Sequence, residues 1–390
     1  RDGTVIAMGC TGYGVTYNSG YAQVYAWDDS SSSWVQRGSN LYGHNYPAGG
    51  DFGQSVALNA AGDVVVVGAP FHFEAHGGGQ SGDGMVRVFR WFEGNWQSMG
   101  TTEDNAAGAF VGEEQGRFGQ SVALNGAGNI LAFGAPNYDE DDAGYGDDDL
   151  RGRVVVQRYN GYEWTQLGQV LKATKYFYES GFSTSLSFDG HVLAVGTPHY
   201  DDGQGIVTDA GGYVTVYVWN EASSLWDQRG EHLFGEYAND YKGYSVSLSA
   251  DGSVLAVGAT QNDPPGRTDG GHVRVYKWGA SGWTQLGTDI DGETGGEKRG
   301  WTVSLSADGS VLAVGERYAS GTDQSGHVRV YEWDGSTWGL LPTGKLWPNA
   351  NIDNELNWQG FSAAVSGNGR VVVAGHPRER SSGIHSAGEA

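Results

Sequence analysis

The sequence predicts an all-β protein, a seven-bladed β-propeller of four-stranded antiparallel blades in which one blade is incomplete or closed by both termini. Three observations lead to this fold class. A glycine-bracketed apolar segment such as GSVLAVG (252–258) recurs seven times, alternating strand patterns flank the copies, and helical periodicity is absent. Since the apolar segment has no polar face, each copy needs a neighbour on both sides.

The repeat has a nearly constant length. Successive copies lie 57 to 66 residues apart, and their first glycines are Gly3, Gly62, Gly128, Gly190, Gly252, Gly309 and Gly369. We therefore predict a single propeller domain over residues 1–390, with repeats at about 1–50, 51–116, 117–179, 180–241, 242–298, 299–358 and 359–390. Because the sequence starts and stops within a repeat, we expect it to be a piece of a longer protein.

Each complete repeat shows four strand signals. In the fifth repeat these are GYSVSLS (243–249), the apolar GSVLAVG, HVRVYKW (272–278) and WTQLG (283–287). The turn at 250–252 (ADG) between the first two is a hairpin signal. The predicted total is 25 strands: three in the first repeat, four in each of the next five and two in the last. An open β-solenoid is the alternative, but solenoid coils are usually far shorter.

The order of the strands separates two kinds of loop. In a meander, the first-to-second and third-to-fourth turns share one face of the propeller, and here those turns are short and uniform. The second-to-third loops and the connections between repeats share the other face, which we call the long-loop face. These loops carry most of the Asp and Glu residues. Because function concentrates in variable loops on a rigid scaffold, we expect a ligand to bind there.

The composition excludes two classes of partner. The chain has 46 acidic against 23 basic residues, a formal net charge of −23 and a pI of about 4.6. Nucleic acid and anionic lipid both require a basic patch, so neither is an expected partner. No apolar stretch reaches the length of a membrane helix, so we expect no direct membrane insertion. A single cysteine, Cys10, leaves no intrachain disulfide.

Two repeats carry a pair of short motifs. Phe52-Gly53 is followed by Gly68-Ala69-Pro70, and the same pair recurs at 118–119 and 134–136. These motifs resemble FG-GAP repeats, the unit of the integrin α-subunit propeller, and the pattern drifts in the other repeats. The chain is also similar to tandem repeats in predicted surface proteins of marine algae and bacteria. This resemblance implies an extracellular or cell-surface location and no defined catalysis.

Members of the FG-GAP family that bind calcium hold it in an Asp-rich loop between the two motifs. Here that place is filled by turns such as 60–63 (AAGD), which are too short for a cage of several oxygens. We therefore expect neither calcium at the family's usual position nor integrin-like ligand binding.

A different loop is the candidate for calcium. Seven carboxylates fall within residues 139–149, and a hard cation would relieve their mutual repulsion. A solvated acidic loop without an ion is the alternative. Ca²⁺ is the one cofactor that the sequence suggests, and its predicted ligands are Asp139, Asp141, Asp142, Asp147, Asp148 and Asp149.

Paired aromatic residues end the third strand and begin the fourth in six repeats. The pairs are Trp27/Trp34, Trp91/Trp96, Tyr159/Trp164, Trp219/Trp226, Trp278/Trp283 and Trp333/Trp338. A ligand site is seldom needed six times, whereas a blade interface is, so we interpret the pairs as inter-blade packing. Three tryptophans outside this pattern are predicted to contact a ligand or partner: Trp301, Trp347 and Trp358.

The sequence contains no nucleophile elbow, phosphate-binding glycine loop or Cys/His metal set, and His272 and His327 read as structural residues at strand starts. We predict a non-catalytic structural or interaction propeller of an extracellular or cell-surface protein or appendage. It binds protein, glycan or other copies of itself through the acidic long-loop face. Two alternatives stay open: a calcium-assisted carbohydrate-binding module, and a hydrolase or lyase with its site at the central channel.

Overall fold

The structure of the chain is a computed structural model. It describes residues 2–11, 20–43, 50–72, 82–100, 109–112, 116–138, 151–173, 179–199, 211–317, 326–346 and 362–375. The predicted calcium ligands Asp139, Asp141, Asp142, Asp147, Asp148 and Asp149, and the predicted contact residues Trp347 and Trp358, lie outside these ranges.

The described residues form an all-β β-propeller of 29 strands, which confirms the predicted fold class. Within these residues no helix is long and apolar enough to cross a membrane. The chain divides into two compact units. The N-terminal unit comprises Thr4–Val195 and Val218–Asp227, and the C-terminal unit comprises Arg1–Gly3, Gly196–Tyr217 and Gln228–Ala390.

Blades one to three belong to the N-terminal unit. Blade one has three strands: β1 (Val5–Cys10), β2 (Tyr21–Asp28) and β3 (Ser33–Gln36). Blade two has five: β4 (Ser55–Leu58), β5 (Val64–Ala69), β6 (Met85–Phe92), β7 (Asn95–Ser98) and β8 (Ala109–Val111). Blade three repeats this arrangement with β9 (Ser121–Leu124), β10 (Ile130–Ala135), β11 (Arg153–Tyr159), β12 (Trp164–Gln166) and β13 (Leu171–Lys172).

Blade four has residues in both units, and blades five and six lie in the C-terminal unit. Blade four contains β14 (Ser183–Leu186), β15 (Val192–Thr197), β16 (Tyr213–Asn220), β17 (Leu225–Gln228) and β18 (Leu233–Phe234). Blade five contains β19 (Lys242–Leu248), β20 (Val254–Ala259), β21 (His272–Gly279), β22 (Gly282–Gln285) and β23 (Ile290–Asp291). Blade six contains β24 (Arg299–Leu305), β25 (Val311–Glu316), β26 (His327–Trp333) and β27 (Trp338–Leu346). A last hairpin contains β28 (Ser362–Val365) and β29 (Val372–Gly375).

The strands pair in the predicted meander, first to second to third to fourth. Four short strands were not predicted: β8, β13, β18 and β23. Each lies in the connection to the next blade and pairs with the third strand of its own blade. Two or three residues are too few to produce a periodic sequence signal.

The prediction of seven blades was wrong, because the described residues form six. All seven glycine-bracketed segments do become strands, but the seventh repeat contributes only the hairpin β28–β29 within the described residues. Within the described part of the chain, the repeat count therefore exceeds the blade count by one. At this hairpin, Asn368 Nδ2 donates to the Asp2 carbonyl over 3.4 Å, and Gly3 packs against Val371. The hairpin and β1 remain in separate sheets.

The second strand is the most buried element of each complete blade. All six residues of β5, β10, β15, β20 and β25 are buried, as the absence of polar alternation predicts. In the N-terminal unit, Val65 and Val67 pack with Ala22 and Val24 of the preceding blade. In the C-terminal unit, the blade-five and blade-six strands share a second apolar cluster that includes Leu312.

Glycines allow adjacent blades to touch backbone to backbone. Gly68, near the end of β5, lies so close to Gly119 of blade three that an added Cβ would overlap the Gly119 carbonyl oxygen. Gly119 itself has a φ of 85°, in the left-handed region. Ser55 Oγ donates to the same Gly119 oxygen over 2.8 Å. The same contact recurs within the two units at Gly9–Gly53, Gly134–Gly181, Gly196–Gly243 and Gly258–Gly300.

The paired aromatics join adjacent blades, which confirms the interpretation of inter-blade packing. Trp96 Nε1 donates to the Arg37 carbonyl of blade one over 2.6 Å, and Gly38 packs on the Trp91 and Trp96 rings. Equivalent indole hydrogen bonds of 2.9–3.0 Å run from Trp164 to Met99, Trp226 to Leu167, Trp283 to Arg229 and Trp338 to Leu286. Five of the six aromatic pairs thus bind to the end of the preceding blade.

Replacing Gly258 with alanine should destabilise the protein by about 3 kcal/mol, because the added methyl group collides with rigid backbone of blade six. Gly279→Ala is the matched control, since the nearest atom to its added Cβ lies 4.0 Å away. We expect that control to change stability by less than about 0.5 kcal/mol. Urea unfolding of both variants provides the measurement, and equal midpoints would contradict the glycine account.

Candidate functional site

Trp301 is the one predicted contact residue that the structure describes. Its ring centroid lies 4.5 Å from that of Tyr244 on β19, and the Arg317 guanidinium carbon lies 4.2 Å from the Trp301 centroid. The side chain is half-buried and packs between two blades. Contact with a ligand stays a prediction for Trp301.

The strongest concentration of polar chemistry lies in blades five and six. In blade two, three apolar residues meet where the first strand begins: Phe52, Ala69 and Met85, each about 1% exposed. At the equivalent register positions blade five has Lys242, Ala259 and His272, and blade six has Arg299, Glu316 and His327. The three blades share the same strand register, but polar or charged residues replace two of the three apolar residues in blade five and all three in blade six.

The blade-five cluster comprises Glu236, Lys242, His272, Arg274, Tyr276 and Asp289. Strand alternation on β21 places His272, Arg274 and Tyr276 on one face and the buried Val273 and Val275 on the other. Glu236 and Asp289 come from the connections that precede and follow blade five. With Lys242 on β19, the cluster therefore joins two strands, β19 and β21, to two inter-blade connections.

Arg274 links the two carboxylates of this cluster. Its guanidinium lies 2.5 Å from Glu236 Oε1, and it contacts both oxygens of Asp289 at 2.7 and 2.8 Å. Burial would raise the pKa of Asp289, but the hydrogen bonds and charge of Arg274 outweigh it and hold this pKa below its usual value. Side-chain exposure is 14% for Arg274, 25% for Asp289 and 40% for Glu236, so this ion pair reaches the surface.

Lys242 is the buried end of the cluster. Its ammonium group donates to the Tyr276 hydroxyl over 2.6 Å and to the Phe234 carbonyl over 2.7 Å. Burial, together with the Arg274 charge, lowers the pKa of Lys242 to about 8. The same two causes lower the pKa of His272 to about 4, so its imidazole is neutral at pH 7.

The blade-six cluster is a buried ion-pair network around Glu316, which has 0% exposure. Glu316 Oε1 accepts from Arg299 Nε over 2.6 Å and lies 2.8 Å from Arg329 Nε, and its Oε2 lies 2.7 Å from His327 Nε2. Burial would raise the pKa of Glu316, but the His327 hydrogen bond and the arginine charges hold it below its usual value. Arg329 also binds both oxygens of Glu293.

The connection after blade five, which carries Glu293 of the blade-six cluster, packs against the second-to-third loop of blade five. Gly292 and Gly296, in the connection after blade five, donate to the carbonyls of Gly271 and Thr268. Arg267 donates to the Gly292 carbonyl over 2.8 Å. Within the C-terminal unit, the clusters therefore belong to the loops that define the long-loop face.

Sequence reasoning did not single out Lys242, Arg299 or Glu316. The sequence did contain a signal. Lys242 and Arg299 precede the first-strand glycine, where the second and third repeats have Phe, and Glu316 follows the second-strand glycine, where those repeats have Ala. The substitution was interpreted as drift of a motif. The opposite charges that compensate these residues, such as Glu316 for Arg299, are identified only in the folded structure.

Comparison with known proteins gives the fold alone. No protein-family model and no curated protein matches the sequence. Among solved structures, Sqt1 from Chaetomium thermophilum is similar with a TM-score of 0.52 and 15% identity, covering 96% of this chain and 91% of that one. A protein from Bacteroides uniformis named as a 6-phosphogluconolactonase has a TM-score of 0.47 and 10% identity, with 90% and 98% coverage. At these identities the likeness carries no statement about function.

Replacing Glu316 with glutamine should destabilise the protein by about 3–5 kcal/mol, because Arg299 and Arg329 lose the charge that compensates them in the core. The exposed Glu332 of the same blade is the matched control, and Glu332→Gln should be nearly neutral. Chemical denaturation measures both free energies of unfolding. A Glu316→Gln variant as stable as the control would contradict this role.

A second variant tests whether the destabilisation comes from leaving an arginine unpaired or from removing the charged residues altogether. Arg299→Phe, Glu316→Ala and His327→Met together copy the apolar residues of blade two. We expect this triple variant to be more stable than Glu316→Gln, because Arg299 is removed together with its carboxylate partner and Arg329 keeps its contacts with Glu293. Lower stability than Glu316→Gln would contradict the equivalence of the two blades.

Proposed function

We propose that the protein is a non-catalytic interaction propeller of an extracellular or cell-surface protein or appendage, built from FG-GAP-like repeats. In this proposal the long-loop face binds a protein or glycan ligand. The observation that carries it is an aromatic and charged surface on the connection between blades four and five. Phe234 is 43% exposed and Tyr237 is 67% exposed, and Glu236 lies between them in sequence.

Buried side chains hold the backbone of this surface in one conformation. Asp240, which is 2% exposed, accepts hydrogen bonds from the backbone N–H groups of Glu236 and Tyr237 at 2.8 and 2.9 Å. Lys242 binds the Phe234 carbonyl. The Phe234 ring packs 5.7 Å from the rings of Tyr213 and His232. A connection fixed in advance loses little conformational entropy when a ligand binds, which favours a binding role.

The chemistry of the surface suits a ligand with both apolar and polar faces. An exposed tyrosine ring offers a flat apolar surface with a polar edge, and Tyr and Arg are enriched among the residues that dominate binding energy. Glu236, which is 40% exposed, can accept hydrogen bonds from hydroxyl or ammonium groups in addition to its contact with Arg274. The net charge of −23 favours glycans or basic protein segments over anionic ligands.

A non-catalytic role is supported by the way the charged groups are occupied. Arg274 takes up both carboxylates of the blade-five cluster, and Lys242 is buried with two hydrogen-bond acceptors. A general acid or base must reach a proton of the substrate, and these pairings leave Lys242 without that reach.

A calcium-assisted carbohydrate-binding module is the second candidate. The exposed Tyr237, next to Glu236 in sequence, favours it, because aromatic and carboxylate groups together suit a sugar. The calcium itself would bind at the acidic loop 139–149, through Asp139, Asp141, Asp142, Asp147, Asp148 and Asp149. Glycan binding that is lost in a chelator would favour this candidate over the first.

Replacing Tyr237 with alanine should weaken binding to glycans captured on an array by about tenfold or more, since a central aromatic contact typically contributes over 1 kcal/mol. Tyr162→Ala is the matched control, because Tyr162 is 73% exposed but lies on a short third-to-fourth turn. The control should bind as the wild type does. No binding to any array glycan or basic peptide, or equal loss in both variants, would overturn the proposal.

A further inference from the structure

Three side chains of the blade-five cluster carry donor atoms near enough to share one metal ion. Glu236, His272 and Asp289 each place one ligand atom within 4.8 Å of the other two. Ligand atoms about 2.1 Å from a tetrahedral ion lie roughly 3.4 Å apart, so these atoms need to approach one another by at most about 1.4 Å. Glu236 is exposed and lies in a connection, which leaves its side chain room to make this movement.

His272 is the observation that points to a ligand. It is 2% exposed, and its Nδ1 is buried without a hydrogen-bond partner in the described part of the chain. Such a buried polar atom is uncommon in a folded protein and calls for a structural account. In blade six it is Nε2 of the equivalent His327, not Nδ1, that lies 2.7 Å from Oε2 of the buried Glu316. Ala259 takes the position of Glu316 in blade five, and one ring nitrogen of His272 lies within 4.8 Å of a carboxylate oxygen of Glu236 and of Asp289.

A positively charged group already lies between the carboxylates of Glu236 and Asp289. One terminal nitrogen of Arg274 lies 2.5 Å from Glu236 and 2.7 Å from Asp289. The arginine side chain is 14% exposed, and its long stem allows the guanidinium to turn towards solvent. Arg274 is therefore the competitor that a metal ion has to displace.

We propose that Glu236, His272 and Asp289 bind a divalent first-row transition metal ion, which replaces the Arg274 guanidinium between the two carboxylates. One imidazole nitrogen with two carboxylate oxygens suits Zn²⁺, whereas Ca²⁺ prefers a larger set of oxygen ligands. The imidazole is neutral at pH 7, as a metal ligand must be. The site shares Glu236 and Asp289 with the proposed ligand-binding surface, but Zn²⁺ binding to it needs no protein or glycan ligand, so the two can fail separately.

Calorimetric titration of the metal-free chain with Zn²⁺ tests the site. The buffer contains excess Ca²⁺, which occupies the acidic surface without competing for the histidine. We expect one Zn²⁺ per chain. Arg274→Met removes the competing charge and should tighten binding about tenfold, whereas His272→Gln and Glu236→Gln should each weaken it at least about tenfold.

Two controls keep the result interpretable. Glu231→Gln alters an exposed carboxylate in the same connection, outside the three ligands, and should leave Zn²⁺ affinity unchanged. Because His272 is buried, thermal unfolding must show that its variant is folded; the exposed Glu236 supplies a variant with less effect on the fold. Co²⁺ bound to the wild type should give visible absorption bands that change in His272→Gln. Absence of Zn²⁺ binding in both wild type and Arg274→Met, or full affinity in His272→Gln, would overturn the proposal.

Discussion

The close approach of glycine to glycine between successive blades is the constraint on which the remaining structure depends. Backbone atoms of Gly68 and Gly119, and of Gly258 and Gly300, meet where any side chain would collide. This contact fixes the end of the second strand in one blade against the beginning of the first strand in the next. The indole hydrogen bonds, such as that from Trp283 to the Arg229 carbonyl, then hold the outer edges of the blades together.

The same constraint explains why charged residues are buried in blades five and six. The residue before the first-strand glycine lies in the core whatever its chemistry, as Phe52 does in blade two and Arg299 does in blade six. A charge at that position has to find a partner nearby, and Glu316 supplies it for Arg299. In blade five the partner of Lys242 is a hydroxyl and a carbonyl, and the carboxylates lie nearer the surface around Arg274. Blades five and six thus share one backbone arrangement but hold two different polar clusters.

Much of the fold could be predicted because the sequence patterns that determine its strands and hairpins are local. The apolar run at 254–258 requires burial on both faces, and the pairing of Trp278 with Trp283 marks a hairpin. Seven repeats predicted seven blades, whereas within the described residues the seventh repeat contributes only the two strands β28 and β29. The candidate site was beyond the sequence for a different reason. Glu236, His272 and Asp289 lie in three separate segments, and only the folded connections bring them together.

Amide hydrogen exchange in increasing denaturant tests the glycine constraint most directly. Strands β5 and β10 belong to blades two and three, which meet at Gly68 and Gly119. If this contact locks the blades, their amides open with one common free energy in the wild type, and Gly68→Ala separates β5 from β10. Independent opening of the two strands in the wild type, or common opening that survives Gly68→Ala, would contradict the account.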